Sequence, residues 1–186
     1  MLIPARGVNY VLGEIMITNL EIIPADISHA DDYYSMFSSD KVCRFMDIDC
    51  FQTIDDAVKF LEFSQTQSET KKAKRFSIQY KSEVVGTVCI YSIYWHQMRA
   101  SIGYALKEEY WNKGIMKYVL GKIEAIAENE MNINRLQATV LKDNIASKKL
   151  LTGCGFEFEG LLKQYEKWGS KGFVNLEMYS KILGGK

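Results

Sequence analysis

The most restrictive stretch of this sequence is ASIGYALKEEYWNKGIMKYVLGKIEAIAEN, residues 100–129, where the hydrophobic period changes once. Residues 100–106 alternate as a half-buried strand does. From there on Ile115, Val119, Ile123 and Ile126 recur at helical spacing, with Met116, Leu120 and Ala127 beside them. That stripe predicts an amphipathic helix over 115–130. A helix start presents N–H groups with no partner and the positive end of the macrodipole, and a phosphate sits well there. Gly114 lets a ligand approach the backbone with no side chain in the way, and Lys113 and Lys117 add positive charge. A glycine between a strand and a helix is also an ordinary turn, so this stretch alone leaves both readings open.

The rest of the chain alternates between the same two periods. Residues 15–23 read as a strand, and 28–38 and 53–68 as helices. The second helix opens with Thr53 and, three residues later, Asp56, a capping-box-like start. It places Ala57, Phe60, Leu61 and Ser64 on one face. Residues 75–80 and 84–95 read as two strands joined by a turn at KSE and predict a hairpin. Residues 135–141 predict a strand, 144–153 a short helix ended by glycine, and 156–163 and 172–182 two final strands. The order β-α-α-β-β-β-α-β-α-β-β predicts an α+β fold, with helices on the faces of a mixed, mostly antiparallel sheet. No linker, repeat or low-complexity stretch interrupts it, which predicts one domain over 1–186. Residues 1–14 are an extension without an assigned element.

Composition narrows the function classes. Lys+Arg and Asp+Glu both number 23, so bulk charge argues against nucleic acid or an anionic membrane as the main partner. No apolar run approaches the roughly 20 residues of a membrane span. The N-terminal stretch carries Arg6 and Glu14 and lacks a signal-peptide core, so the expected location is cytoplasmic. Cys43, Cys50, Cys89 and Cys154 form no C-x-x-C pair, and the histidines are His29 and His96 alone. That predicts free thiols in a reducing compartment and no metal site.

Two segments carry a family resemblance. The loop Trp111-Asn112-Lys113-Gly114-Ile115-Met116 resembles the Arg/Gln-x-x-Gly-x-Gly/Ala loop of the GNAT superfamily of N-acetyltransferases. Trp111 replaces the Arg/Gln and Met116 the small residue. Asn144, Ser147, Gly155-Phe156 and Glu159-Gly160 match the C-terminal pattern of its RimJ/RimL-type branch, which acts on ribosomal-protein N-termini. The resemblance implies a GNAT fold with acetyl-coenzyme A in the cleft between the central strands. It implies pyrophosphate contacts from the backbone amides of Asn112, Lys113, Gly114, Ile115 and Met116. It also implies that the pantetheine arm pairs near Leu106 and meets Asn144, a residue that would equally serve as the helix N-cap.

For catalysis the resemblance points away from the commoner residues. Many members carry a glutamate base on the central strand, where this chain has Ser101, and an acid tyrosine where it has Leu151. In the RimL-like branch a serine is proposed to act near the sulfur as general acid and a glutamate nineteen residues later as base; these are Ser147 and Glu166 here. Without the family, Ser147 reads as a first-turn helix residue and Glu166 as a solvated loop charge. Tyr91, Tyr94, Trp95, Tyr165 and Trp168 could line an acceptor groove or simply pack, and Asp47, Asp49 and Glu62 could select a cation or face water. The expected activity is transfer of an acetyl group to a primary amine, such as a protein N-terminal α-amine. Alternatives are a small amine (polyamine, amino acid or antibiotic) and an acyl-CoA-binding module without turnover. Monomer and homodimer both remain open.

Overall fold

The computed structural model describes residues 11–12, 15–16, 19–168 and 172–184. The elements are β1 (Val11–Leu12), β2 (Ile15–Met16), β3 (Leu20–Pro24), α1 (Ala30–Phe37), α2 (Asp40–Cys43) and α3 (Ile54–Glu69). They continue with β4 (Ala73–Tyr80), β5 (Glu83–Tyr94), β6 (Arg99–Leu106), α4 (Ile115–Asn129), β7 (Arg135–Leu141), α5 (Ile145–Gly153), β8 (Glu157–Lys167) and β9 (Phe173–Ile182). Seven strands form one sheet in the order β3-β4-β5-β6-β7-β9-β8. Only β6 and β7 run parallel, so the sheet is mixed and mostly antiparallel, as the element order predicts.

The strand expected over 15–23 is divided: β2 pairs with β1, and β3 joins the main sheet. Of the extension 1–14, residues 11–12 supply β1, and the remainder lies outside the described residues. The helix expected over 28–38 opens as a 3-10 turn, Ile27–His29, before α1. The short α2 was not anticipated, because one turn of helix has no room to show a period. Among the described residues no helix is long and apolar enough to cross a membrane.

Each sheet face has its own core. On one, α4 buries Ile115, Met116, Val119, Leu120 and Ile123 against Ile78, Val88, Ile102 and Leu136, and Leu151 of α5 joins them. Each such side chain contributes about 1.5–3 kcal/mol. On the other face Tyr33, Phe37 and Leu61 of α1 and α3 pack over Val84 and Ala105. Helix α3 starts as the sequence predicts: the Asp56 carboxylate accepts the Thr53 N–H at 2.9 Å. Under α1, the Tyr33 hydroxyl donates to Thr87 Oγ1 at 3.0 Å and lies 3.1 Å from Ser77 Oγ, so the polar atoms of this buried layer are paired.

Two features shape the centre of the sheet. Strands β5 and β6 pack so closely that a Cβ on Gly86 would lie 2.6 Å from the Ala105 carbonyl oxygen. The hairpin β4–β5 turns on Lys81 and Ser82, both at positive φ, the conformation a two-residue turn needs. At the opposite end, Arg135 of β7 reaches across β9 to a bidentate pair with Glu159 of β8, one bond of 2.8 Å, and Ser180 donates to the same carboxylate.

The Arg135 and Ser180 donors hold the Glu159 carboxyl at a pKa of about 2, below the roughly 4.3 of an unfolded glutamate. A depressed folded pKa stabilises above the unfolded value, and that contribution is lost as pH falls toward 2. Glu159→Gln should therefore cost up to about 1 kcal/mol at pH 7 and close to nothing near pH 2. Urea midpoints of both proteins across that range check it.

Candidate active site

Strands β6 and β7 pair at only three positions, Arg99 with Arg135, Ala100 with Leu136 and Ser101 with Gln137. Beyond them the strands part. Residues 102–106 stay bonded to β5 on one side and 138–141 to β9 on the other. The two edges that face each other across the split have no ladder between them. A sheet interior with open edges is a place where an extended, amide-bearing molecule can add as a strand.

The loop from β6 to α4 closes one end of this split. Asn112 and Gly114 both have positive φ, 58° and 76°. Gly114 is the N-cap of α4, and no side chain caps that helix or places an acid in its first turn. By contrast, α1 carries Asp31 and Asp32 and α3 carries Asp55 and Asp56 there. The start of α4 is thus left with partnerless amides and uncompensated positive dipole. Ile115 and Met116 turn their side chains into the core, so the bulk of Met116 is directed away from the loop. The Trp111 indole N–H donates to the Leu106 carbonyl at 2.8 Å, tying the loop to the end of β6. Lys107 is buried and pairs with Asp32 at 2.9 Å and Glu83 at 2.8 Å. Burial pulls its pKa down, and the two carboxylates outweigh that and leave it above its ordinary value.

On the α4/α5 side of the split stand Asn144, Ser147 and Tyr104. The Asn144 side-chain oxygen accepts the Ser147 N–H at 3.1 Å, so Asn144 is the N-cap of α5. Ser147 Oγ lies 2.9 Å from the Tyr104 hydroxyl. Burial raises the Tyr104 phenol well above its ordinary pKa, and the bond to Ser147 only partly offsets this. Leu151 is wholly buried in the core. Cys154 is half-buried and its thiol is pushed up, first by burial and then by the charge of Glu124, which suits packing and not nucleophilic chemistry.

The other face is different in character. Ser101 is buried and accepts a bond from Gln137 at 3.3 Å. Tyr91 lies over Gly103, where a Cβ would come 3.4 Å from its ring, and it hydrogen-bonds Thr139 of β7. Its phenol is pushed up to about 12, by burial first and then by the negative charge of Glu166. A bulge between Tyr91 and Tyr94, with Ser92 at positive φ, twists β5 beside it. Glu166 is placed on β8, not in a polar loop. Between Leu162 and Glu166, four steps of β8 oppose two of β9, from Leu176 to Val174. The excess residues bend the strand, and Asn175 fills the gap by accepting the Gln164 N–H at 2.7 Å. The bend brings Glu166 to Trp168, whose indole donates to it at 3.1 Å. Burial raises the pKa of Asp47, and the charges of Glu166 and Asp49 add to this. Glu166, Asp47 and Asp49 therefore share one field.

A family model described as an acetyltransferase (GNAT) domain matches residues 19–157, most of the chain. The chain belongs to the GNAT N-acetyltransferases. It is similar to the uncharacterized N-acetyltransferase p20 of Bacillus licheniformis, with 33% identity over 160 residues that cover 84% of this chain and 89% of that protein. Its fold is similar to RimL, a ribosomal L7/L12 alpha-N-protein acetyltransferase solved with coenzyme A: TM-score 0.81, 23% identity, 93% of this chain and 98% of that one. It is also similar to the microcin C7 self-immunity acetyltransferase MccE, solved with acetyl-CoA and AMP: TM-score 0.79, 24% identity, 92% and 94% covered.

In this GNAT enzyme the residues singled out in the sequence gather around one split. Asn112 to Met116 and Leu106 lie at one end, Asn144 and Ser147 on the α5 side, and Glu166 on the opposite face. Tyr104, Thr139 and Gln137 were not singled out. Tyr104 could have been, since alternation from Ile102 to Leu106 puts it on the α4 face. Trp111→Phe keeps the ring and removes the donor to Leu106. It should speed amide exchange across residues 112–116 by an amount equivalent to about 1 kcal/mol, with exchange in α3 unchanged; mass-spectrometric hydrogen exchange reads both.

Proposed function

We propose that this enzyme transfers an acetyl group from acetyl-coenzyme A to a protein N-terminal α-amine, with the coenzyme arm lying in the split between β6 and β7. The observation that carries this is the split itself, with an uncapped, acid-free helix start at one end and a half-buried carboxylate on the far face. The amides of Asn112 to Met116 take the pyrophosphate, helped by Lys113 and Lys117. The open edge of β6 near Leu106 receives the pantetheine amides. Asn144 has its oxygen committed to Ser147, which turns its NH₂ outward as a donor to the same arm.

The chemistry follows from the two faces. A neutral amine nitrogen attacks the thioester carbon, an oxyanion develops, the C–S bond breaks and coenzyme A leaves as the thiolate. Backbone N–H groups of the parted strands stabilise the oxyanion. Glu166 takes one proton from the incoming ammonium and passes it to water. The second, lost from the nitrogen as the tetrahedral intermediate collapses, goes to water or to the departed thiolate. An α-amine has a pKa of about 7.7–8.0 and a lysine about 10.4, a gap of roughly 3.4 kcal/mol. One carboxylate is enough for the former, and this, together with the likeness to RimL, supports an N-terminal acceptor. On the other side Ser147 donates a hydrogen bond to the departing sulfur. A thiol, with a pKa of about 8.5, is far more acidic than an alcohol, so the serine shares its proton with the thiolate and does not give it up.

Thiol release from acetyl-CoA with a panel of amines tests the acceptor. Release with N-terminal peptides and not with polyamines, amino acids or aminated antibiotics is expected; the reverse pattern assigns the enzyme to small amines. Gly114→Glu puts bulk and negative charge where the pyrophosphate sits and should abolish measurable coenzyme binding by calorimetry, whereas unchanged affinity would remove the loop from the site. Glu166→Gln should lower kcat/KM about 10²- to 10⁴-fold. The deficit should grow from pH 8 to pH 6, because the variant must wait for an amine that is already neutral. A deficit of equal size at every pH would take Glu166 out of the proton transfer.

A further inference from the structure

Tyr104 is the polar group on the α4/α5 side of the split that the proposed chemistry leaves unused. It lies on the stretch of β6 that has already left β7, on the face turned to α4 and α5, between the buried Ile102 and Leu106. Its ring packs against that core while its hydroxyl reaches α5, and among the described residues Ser147 is that hydroxyl's partner.

We infer that Tyr104 is a positioning residue for acetyl transfer: its phenol donates to Ser147 Oγ and so leaves the serine's own proton free to point into the split. This rests on the assignment of Ser147 to the departing sulfur. The direction of the bond follows from counting protons. Each hydroxyl has one proton and two lone pairs. If Ser147 donated to Tyr104, the serine proton would be consumed and the phenol proton would have no acceptor among the described residues. If Tyr104 donates, its proton is satisfied and that of Ser147 is available. The phenol, ordinarily near pKa 10, is also the better donor of the two.

The placement of Ser147 supports this. It stands in the first turn of α5, where no helical carbonyl lies four residues earlier to take its proton. Its hydroxyl is turned toward β6 and the residue is held from two sides, its oxygen by Tyr104 and its N–H by Asn144. A hydroxyl fixed in that way has lost its rotational freedom before the reaction starts, which is what a group acting only in the transition state requires.

The test is a double-mutant cycle on kcat with acetyl-CoA and an accepted amine. Tyr104→Phe should lower kcat about tenfold, the effect of one ordinary hydrogen bond, with KM for acetyl-CoA unchanged and the melting temperature lowered by about 4 °C at most. Ser147→Ala should lower kcat at least as much, and the double variant should be no slower than Ser147→Ala alone, because both changes remove one device. If Ser147→Ala is fully active, the serine assignment fails and the role of Tyr104 with it. If Ser147→Ala is slow and Tyr104→Phe is not, the serine stands and the positioning role is overturned. Multiplying losses in the double variant overturn it too, as they put Tyr104 on a separate path. Should Tyr104→Phe fold poorly, 3-fluorotyrosine at position 104 keeps the ring and the donor. Its kcat should match the wild type, and a tenfold loss there would overturn the proposal.

Discussion

The structure depends on two parallel strands that stop pairing after three residues. A parallel pair needs a crossover between its strands, and here the crossover is the loop 107–114 followed by α4. The crossover leaves β6 at its splayed end and returns to the start of β7. There the three-residue ladder and the bonds from the Asn134 and Arg135 N–H groups to the Met98 carbonyl hold the strands together, while their far ends follow different partners, β5 and β9. Nothing within the sheet then satisfies the facing edges of residues 102–106 and 138–141. Exposed backbone donors and acceptors inside a fold carry a cost unless something pairs with them. The split is therefore a standing demand for an extended polar molecule, and the side chains around it are arranged on that demand.

The loop that bridges the split is held more firmly than its glycine suggests. Trp111 bonds the end of β6, and Lys107 anchors the same strand end to α1 and β5 through Asp32 and Glu83. The net stability from these pairs is small, because the cost of burying the Lys107 ammonium offsets much of its attraction to two partly exposed carboxylates. What they do supply is registry: they fix where β6 ends relative to both layers, and hence where Asn112 and Gly114 turn. Gly86 serves the same end by letting β5 and β6 approach within a distance that any side chain would prevent. Rigid placement matters here because an anion site made of amides acts by geometry.

How much of this could be read from the sequence follows from the range of the interactions involved. Helix α4, its apolar stripe and its glycine start are local, and they stand where periodicity puts them. So do the capping box of α3 and the turn at Lys81-Ser82. Glu166 was legible as a candidate only through its spacing from Ser147, since local composition reads KQYEKWGSKG as a solvated loop. Its actual setting comes from two surplus residues in β8 against β9 and from Asn175, and no local pattern reports how two strands are registered. The bond between Tyr104 and Ser147 spans 43 residues and was invisible for the same reason. Alternation could place Tyr104 on a face, but not opposite a particular serine.

The two departures from the commoner GNAT residues are better understood together than singly. A glutamate at position 101 would enter a buried spot on the acceptor face that Ser101 and Gln137 now fill with a neutral hydrogen bond. A tyrosine at 151 would have to displace a leucine that is wholly enclosed. Both positions have been given over to packing, and the groups proposed in their place lie farther out along the split, the Glu166 carboxylate on the bend of β8 and the Ser147 hydroxyl on the first turn of α5. Glu166 shares its surroundings with Asp47 and Asp49, and, after burial, its charge is one of the causes that raise the pKa of Asp47. Under the proposed mechanism this cluster of carboxylates attracts an acceptor that arrives as an ammonium, which gives up its proton only once seated against the thioester.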